Sequence, residues 1–172
     1  MHMMIDFETL DTAPTAKVIA AAVVAFNEGQ IINTMLCCFD IDEQPDRTVS
    51  DSTVWWWLKQ PEVKWAVPTT TVREFCNSVE SRWNGYCGEK GSTIWCNGAS
   101  FDFPILDSLF AQCDKDVPWN FWQQRDCRTL RDFVPRPEWP ADLQKHNPLD
   151  DCIYQARWVQ EAWRTLCNPN NE

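Results

Sequence analysis

The chain has 172 residues, of which 44% are hydrophobic, and it carries a formal net charge of −10. A chain of this length and hydrophobicity can bury the core of one domain, so its composition excludes an intrinsically disordered protein. The negative charge argues against nucleic-acid binding by bulk electrostatic attraction, although bound divalent cations would offset acidic charges locally.

The nine cysteines contain no Cys-x-x-Cys pair, which argues against both a disulfide framework and a zinc site. They are interpreted as reduced, small apolar residues. The longest apolar run, Val18 to Phe26, is less than half the length of a membrane span, and Met1 to Ile5 show no signal peptide. No internal repeat or linker occurs, so we predict one domain over residues 1–172. Because the sequence shows neither a membrane span nor a signal peptide, we predict that the protein lies in the cytoplasm.

The first half of the chain has strand patterns followed by helix patterns. Apolar and β-branched runs predict the strands, and Glu28-Gly29 supplies the turn between the second and third of them. Pro61 is expected to stop the first helix. In chain order, the predicted elements are strands at Met3–Phe7, Ala16–Asn27 and Gln30–Ile41, then helices at Ser52–Gln60 and Thr69–Asn84.

The second half alternates between strand and helix patterns. The predicted elements are a short buried strand at Thr93–Cys96, helices at Phe101–Gln112 and Pro148–Leu166, and loops over residues 114–145 around a short helix near Arg128–Phe133. An apolar stripe along the last helix consists of Cys152, Ala156, Val159, Trp163 and Leu166. Three early strands followed by alternating elements indicate an α/β domain with a mixed sheet.

Two acidic residues occupy alternate positions at the end of the first predicted strand, in Ile5-Asp6-Phe7-Glu8-Thr9. Side chains alternate across a strand, so Asp6 and Glu8 project from the same face, about 7 Å apart. Carboxylates at this spacing can converge on one hard cation at the sheet edge, where α/β sites usually lie. Asp-x-Glu also occurs by chance in solvated turns, so the pair alone does not establish a metal site.

Another acidic residue, Asp102, follows the fourth predicted strand in Asn97-Gly98-Ala99-Ser100-Phe101-Asp102. Ser100 is a candidate cap for the helix that begins there, and Asp102 would lie in the first turn. An acid at this position also serves the helix dipole without any other function. Asp102 is therefore a candidate functional residue only because the other motifs occur in the right order around it.

The last motif, His146-Asn147-Pro148-Leu149-Asp150-Asp151, begins the final predicted helix. Asn147 suits an N-cap, Pro148 suits the first helical position, and Asp150 falls where its charge favours the helix dipole. His146 and Asp151 then occupy the two positions that touch in a hydrophobic staple. A histidine that only supports the helix cap is the alternative interpretation.

Together these motifs resemble those of the DEDDh 3′–5′ exonucleases of the DnaQ-like, RNase H-like superfamily. That family's Asp-x-Glu-Thr matches Asp6 to Thr9, its Asn…Phe-Asp segment matches Asn97 to Asp102, and its His followed five residues later by Asp matches His146 and Asp151. The likeness is closer to the branch of RNase AS-like exoribonucleases and small phage or bacterial exonucleases. Other similar segments are Thr53-Val54-Trp55-Trp56-Trp57-Leu58 and Arg125-Asp126-Cys127-Arg128-Thr129-Leu130.

The resemblance implies a five-stranded mixed sheet flanked by helices and a two-metal mechanism that uses Mg²⁺ or Mn²⁺, with the ions roughly 3.5–4 Å apart. It implies that Asp6 bridges both ions, that Glu8 and Asp151 complete the shell of the first, and that Asp102 holds the second. It also implies that His146 deprotonates the attacking water, for which an unperturbed pKa of about 6.5 is suitable.

The implied substrate is the 3′ end of single-stranded nucleic acid, and the implied products are nucleoside 5′-monophosphates. The resemblance also places Thr9 and Leu10 near the terminal nucleotide, with Asn97 and Phe101 supporting the site. RNA and DNA are not distinguished, because that depends on contact with the 2′-hydroxyl group. Many relatives are dimers, which suggests a homodimer by analogy alone and leaves the oligomeric state open. The expected location is the cytoplasm of a bacterial or phage-infected cell.

Five other positions have interpretations of their own. Trp55 and Leu58 are assigned to the core, because consecutive helical residues point about 100° apart and three adjacent tryptophans cannot share one face. Arg125 and Arg128 are candidates for a phosphate contact or for ion pairs within the protein. His2 is expected to belong to a disordered start.

Two other classes of function fit parts of the sequence. A catalytically silent module for binding nucleic acid or protein could use the same fold, but it would not need all four acids and the histidine. An acidic DNA mimic is suggested only by the net charge of −10. Such a mimic should spread its carboxylates over one face, whereas several acids here lie at motif positions. The sequence therefore favours a metal-dependent exonuclease.

Overall fold

The computed structural model of the chain describes residues 1–63 and 66–167. Its strands are β1 (His2–Thr9), β2 (Val18–Phe26), β3 (Ile31–Cys38), β4 (Thr93–Cys96) and β5 (Gln124–Asp126). They form one sheet in the order β3-β2-β1-β4-β5. The β1–β2 and β2–β3 pairs are antiparallel, whereas β1–β4 and β4–β5 are parallel. The predicted mixed sheet flanked by helices is therefore confirmed.

Four α-helices pack around or beside this sheet: α1 (Asp51–Trp57), α2 (Val72–Arg82), α3 (Ala99–Gln112) and α4 (Pro148–Cys167). Shorter helical turns occupy Trp83–Cys87, Phe121–Gln123 and Cys127–Asp132. The three-residue β5 lies in a segment that the sequence assigned to loops, because it is too short to show an alternating pattern.

The alternation of side chains along β1 decides which residues face which helices. Met3, Ile5 and Phe7 are buried in a cluster with residues of α2 and α3. Met4 is buried in a second cluster, which contains the apolar face of α4. Because Asp6 and Glu8 continue the alternation begun by Met4, they emerge on the side of the sheet that α4 covers.

The assignment of Trp55 and Leu58 to the core is wrong. Trp55 is 64% exposed and Leu58 is 67% exposed, and no residue of α1 is fully buried. The inward contact comes from Trp57, whose indole N–H donates a hydrogen bond to the Thr9 carbonyl at 2.8 Å. This seven-residue helix lies beside the end of β1 instead of covering the sheet, so helical spacing alone could not show its inner face.

Two predictions about the ends of the described chain are also wrong. His2 is the first residue of β1, and its Nδ1 lies 2.6 Å from the Thr93 hydroxyl. Its ring contacts Trp163 at 4.4 Å between centroids, and burial lowers its pKa to about 4. At the other end, Leu166 is exposed. It lies beyond Trp163, the point up to which α4 packs on the second cluster.

All nine cysteines are free; eight are buried, as expected of small apolar residues, and Cys167 is exposed. Within residues 1–63 and 66–167, none of the helices has the length and apolar character needed to cross a membrane.

Candidate active site

The carboxyl ends of the parallel strands β1, β4 and β5 meet at one edge of the sheet. This is where sites in α/β folds are usually built. A cavity of about 510 Å³ opens at this edge. Its lining includes all five residues that the resemblance implies to be catalytic: Asp6, Glu8, Asp102, His146 and Asp151.

Three carboxylates in this cavity form a tight cluster. Asp6, Glu8 and Asp151 each offer one oxygen, and these oxygens all lie within 4.8 Å of one another. Asp6 and Glu8 pair across the sheet with Ala22 and Ala20, whose small side chains leave room beside them. Because carboxylate oxygens are the preferred ligands of hard divalent cations, this cluster can hold such an ion.

Asp151 is held in place by the first turn of α4. Asn147 Oδ1 accepts a hydrogen bond from the Leu149 N–H at 3.1 Å, as expected for the N-cap residue. Asp151 Oδ2 accepts a hydrogen bond from the His146 N–H at 2.9 Å, and His146 has a left-handed backbone with φ of 62°. The start of the helix therefore brings the histidine and the carboxylate to the same wall of the cavity.

Asp102 reaches the cavity from the first turn of α3 and is only 3% exposed. It lines the cavity but does not belong to the three-oxygen cluster. The helix is not capped by Ser100, because it already begins at Ala99. The Ala99 N–H instead donates to the Asp126 carboxylate at 2.9 Å, so β5 supplies the cap.

The two arginines of the β5 segment have contacts of different kinds. Arg125 donates hydrogen bonds to the carbonyls of Trp122 and Gln124. The Arg128 guanidinium lies against Gly98, 2.8 Å from where a Cβ of that residue would be, and Gly98 has φ of 153°. Within the described ranges, neither arginine forms an ion pair.

The four acids repel one another in a site that is largely shielded from water. Burial raises the pKa of Asp6 well above its usual value, and the charges of Asp102, Glu8 and Asp151 raise it further. Burial followed by the charges of Asp151 and Asp102 raises the pKa of Glu8 to about 9. Burial is also the main cause that raises the pKa of Asp102 to about 7 and that of Asp151 to about 6. A bound cation would relieve this repulsion.

The free energy of unfolding should therefore fall as the pH rises when divalent cations are removed. Each acid has a higher pKa in the folded protein than in the unfolded chain, so folding stabilises its protonated form, and this stability is lost as the pH rises. For Glu8 the loss extends from about pH 4.5 to about pH 9. Urea unfolding in EDTA at a series of pH values measures it. Glu8→Gln should flatten the upper part of the curve, and a wild-type curve that rises over this range would contradict the raised pKa of Glu8.

His146 lies against the aromatic residues of α1. Its ring is edge-on to Trp56, with 4.9 Å between centroids and an interplanar angle of 90°, and it also contacts Trp57 at 6.5 Å. Burial and the charge of Lys145 lower its pKa below the usual 6.5. The imidazole is therefore neutral at neutral pH, which is the form that can accept a proton.

The structure does not bring together all four residues that the resemblance places at the substrate. Asn97 and Phe101 line the main cavity. Thr9 lines an adjoining cavity of about 360 Å³, which Trp56 also lines. Leu10 lines neither cavity, and its backbone N–H and carbonyl are hydrogen-bonded to Lys17 and Ser50.

Sequence reasoning missed several residues of the cavity. Gln155, which is 2% exposed, donates a hydrogen bond through Nε2 to Asp6 Oδ1 at 3.2 Å. Its position four residues after Asp151 placed it on the same face of α4, so helical spacing could have found it. Three other missed lining residues lie in the loop before α4, where no sequence pattern marks them: Arg136, Trp139 and Lys145. Tyr154 of α4 was also missed.

The chain is similar to known nucleases in sequence and in fold. The family model described as the 3′-5′ exoribonuclease Rv2179c-like domain matches residues 1–163. The exodeoxyribonuclease of Enterobacteria phage T4 is 30% identical, over 94% of this chain and 88% of that protein.

Two solved structures share the fold at low sequence identity. The nuclease domain of 3′hExo, a DEDDh family member bound to rAMP, has a TM-score of 0.65 at 16% identity, over 95% of this chain and 91% of that chain. S. pombe Pop2p in its Mg²⁺- and Mn²⁺-bound form has a TM-score of 0.66 at 13% identity, over 99% of this chain and 86% of that one.

Proposed function

The chain belongs to the family of the 3′-5′ exoribonuclease Rv2179c-like domain, and we propose that it shortens single-stranded RNA or DNA from the 3′ end, releasing nucleoside 5′-monophosphates. Residues 1–172 would act as one exonuclease domain. The observation that carries the proposal is the cluster of Asp6, Glu8 and Asp151, whose oxygens lie within 4.8 Å of one another in a cavity that His146 also lines.

The donor set fits a divalent cation, and we propose that two bind, Mg²⁺ or Mn²⁺. It offers only hard oxygen ligands, and the pKa values of Asp6 and Glu8 are raised first by burial and then by the charges of the neighbouring acids. Asp6, Glu8 and Asp151 would hold one ion, while Asp6 and Asp102 would hold the other. When bound, such ions activate water and stabilise the charge that develops in an in-line displacement at phosphorus.

His146 would act as the general base. Its neutral imidazole can take the proton of the attacking water, and contact with Trp56 fixes the orientation of the ring. The hydrogen bond from Gln155 would orient the carboxylate of Asp6, which has the central place in the cluster.

The 3′-terminal nucleotide would lie between the two cavities. Asn97 and Phe101 would support it in the main cavity, and Thr9 would contact it from the adjoining one. Leu10 would lie near that nucleotide because it follows Thr9 in the chain.

The substrate class is best tested by digesting matched strands of RNA and DNA. The family model describes an exoribonuclease domain, whereas the phage relative is an exodeoxyribonuclease, so RNA and DNA are both candidate substrates. A 5′-labelled strand of each should give a ladder that shortens from the 3′ end with Mn²⁺ or Mg²⁺ and stays intact in EDTA. The faster of the two identifies the preferred polymer. If folded protein with both metals cleaves neither strand, the result favours the alternative, a catalytically silent binding module on the same fold.

Two further proposals rest on analogy. A homodimer is expected from the resemblance, and sedimentation of the purified chain would reject it if only monomer is found. The phage relative supports a place in the cytoplasm of a bacterial or phage-infected cell.

A further inference from the structure

The cavity that holds the acidic cluster also carries two cationic side chains, Arg136 and Lys145. They are the only arginine and lysine in its described lining, and both belong to the loop before α4. The chain has a net charge of −10, and the four acids of the cavity would repel a polyanionic strand. These two cations are therefore placed where a nucleic acid would need them.

Arg136 is fixed by aromatic neighbours and leaves hydrogen-bond donors free. Its Nε donates to the Tyr154 hydroxyl at 3.1 Å, and that hydroxyl donates to the Pro137 carbonyl at 2.6 Å. The guanidinium carbon lies 5.3 Å from the centroid of the Tyr154 ring and 5.9 Å from that of Trp158. Among the described residues, its two terminal nitrogens have no hydrogen-bond partner. A planar fork held in this way is suited to a phosphate group.

Lys145 is supported by the same group of rings. Its Nζ lies 5.8 Å from the centroid of the Trp139 ring, and Trp139 packs on Tyr154 with 4.5 Å between centroids. The Trp139 indole N–H donates to the Leu143 carbonyl at 2.8 Å, which fixes the loop. In the described part of the chain, neither Lys145 nor Arg136 forms an ion pair with a carboxylate, although both charges lower the pKa of Asp151 across the cavity.

We propose that Arg136 and Lys145 form a subsite for a non-scissile backbone phosphate of the bound strand. The inference rests on the proposed function. In a 3′ exonuclease, only the scissile phosphate joins the terminal nucleotide to the strand, so every other phosphate lies on its 5′ side. The subsite therefore binds the strand that remains after cleavage and favours substrates with at least two internucleotide phosphates.

The subsite is tested by binding of single-stranded oligonucleotides in which one internal phosphate at a time is a neutral methylphosphonate. Fluorescence anisotropy in Mg²⁺, with every protein also carrying His146→Ala to slow cleavage, compares the parent with Arg136→Gln and Lys145→Met. Lys90→Met serves as the matched control, because this exposed residue lies near the start of β4, at the opposite end of that strand from the cavity.

On unmodified strands, Arg136→Gln should weaken binding about tenfold, the loss expected for a hydrogen bond to a charged group, while Lys90→Met should stay within about twofold. At one position on the 5′ side of the scissile phosphate, the methylphosphonate should weaken binding to the parent, yet cause no additional loss in Arg136→Gln. Equal losses at every internal position would overturn the subsite, as would unchanged binding by Arg136→Gln and Lys145→Met. Since binding is measured without turnover, this outcome is distinct from a wild-type protein that fails to cleave.

Discussion

Asp6→Asn should abolish hydrolysis while leaving the fold intact. Asp6 contributes to the three-oxygen cluster, and the charges of Asp102, Glu8 and Asp151 all act on it. It is therefore the residue best placed to be shared by two cations. A bound metal ion supplies several kcal/mol of stabilisation to the transition state, and each 1.36 kcal/mol changes the rate tenfold, so turnover should fall by roughly 10³-fold or more.

Thermal unfolding gives a second measurement on the same variant. The wild-type protein should be stabilised by added Mn²⁺, because an ion that binds only the folded state raises its stability. Asp6→Asn should lose most of that shift, yet be more stable than wild type in EDTA near neutral pH. The reason is that a neutral amide replaces a carboxyl whose pKa is raised by burial and by the neighbouring acids. Asp107→Asn is the matched control, since Asp107 is exposed on α3 and lies outside the cavity lining. Undiminished activity of Asp6→Asn would reject the metal assignment.

His146→Ala should lower turnover by roughly 10²–10⁴-fold, the range typical of a lost general base. Substrate binding and the Mn²⁺-induced stabilisation should both remain, because the side chain belongs neither to the carboxylate cluster nor to the cationic wall formed by Arg136 and Lys145. His2, the only other histidine, lies in β1 and does not line the cavity, so His2→Gln is the control.

The dependence of turnover on pH separates a base from a residue that only packs. Burial lowers the pKa of His146, so wild-type turnover should stay high at neutral pH and fall as the pH drops below about 6.5. With enough divalent cation to keep the acids of the cluster ionised at every pH, His146→Ala should lack this decrease, at a rate that is low throughout. A variant within twofold of wild type, or one that keeps the same decrease, would reject the role of His146.

The parts of the site that depend on local rules were predictable from sequence. The alternation along β1 places Asp6 and Glu8 on one face, and the Asn147-Pro148 start of α4 brings His146 to Asp151. Each of these relations extends over only a few residues, so local backbone geometry decides which side chains lie together. The order of the motifs then identified the family and the fold.

The parts that depend on distant contacts were not predictable. Asp126 of β5 caps α3 in place of Ser100, because a three-residue strand brings its carboxylate to the helix from 27 positions away. The positions of Arg136 and Lys145 depend on a loop that packs on the aromatic rings of α4, and its sequence shows no periodicity. His2 is ordered by its contacts with Thr93 and Trp163, which no local pattern near the first residue reveals.

The identity of the first product distinguishes a 3′–5′ exonuclease from other nucleases. A single strand of the polymer that wild type degrades faster, labelled in its 3′-terminal nucleotide, is mixed with excess enzyme for a single turnover. With Mg²⁺ or Mn²⁺, the wild-type protein should release the label as a nucleoside 5′-monophosphate, and neither EDTA samples nor Asp6→Asn should release any. Release of the label as a nucleoside 3′-monophosphate or within a longer fragment, or release in EDTA, would contradict a metal-dependent 3′–5′ exonuclease built on this cluster.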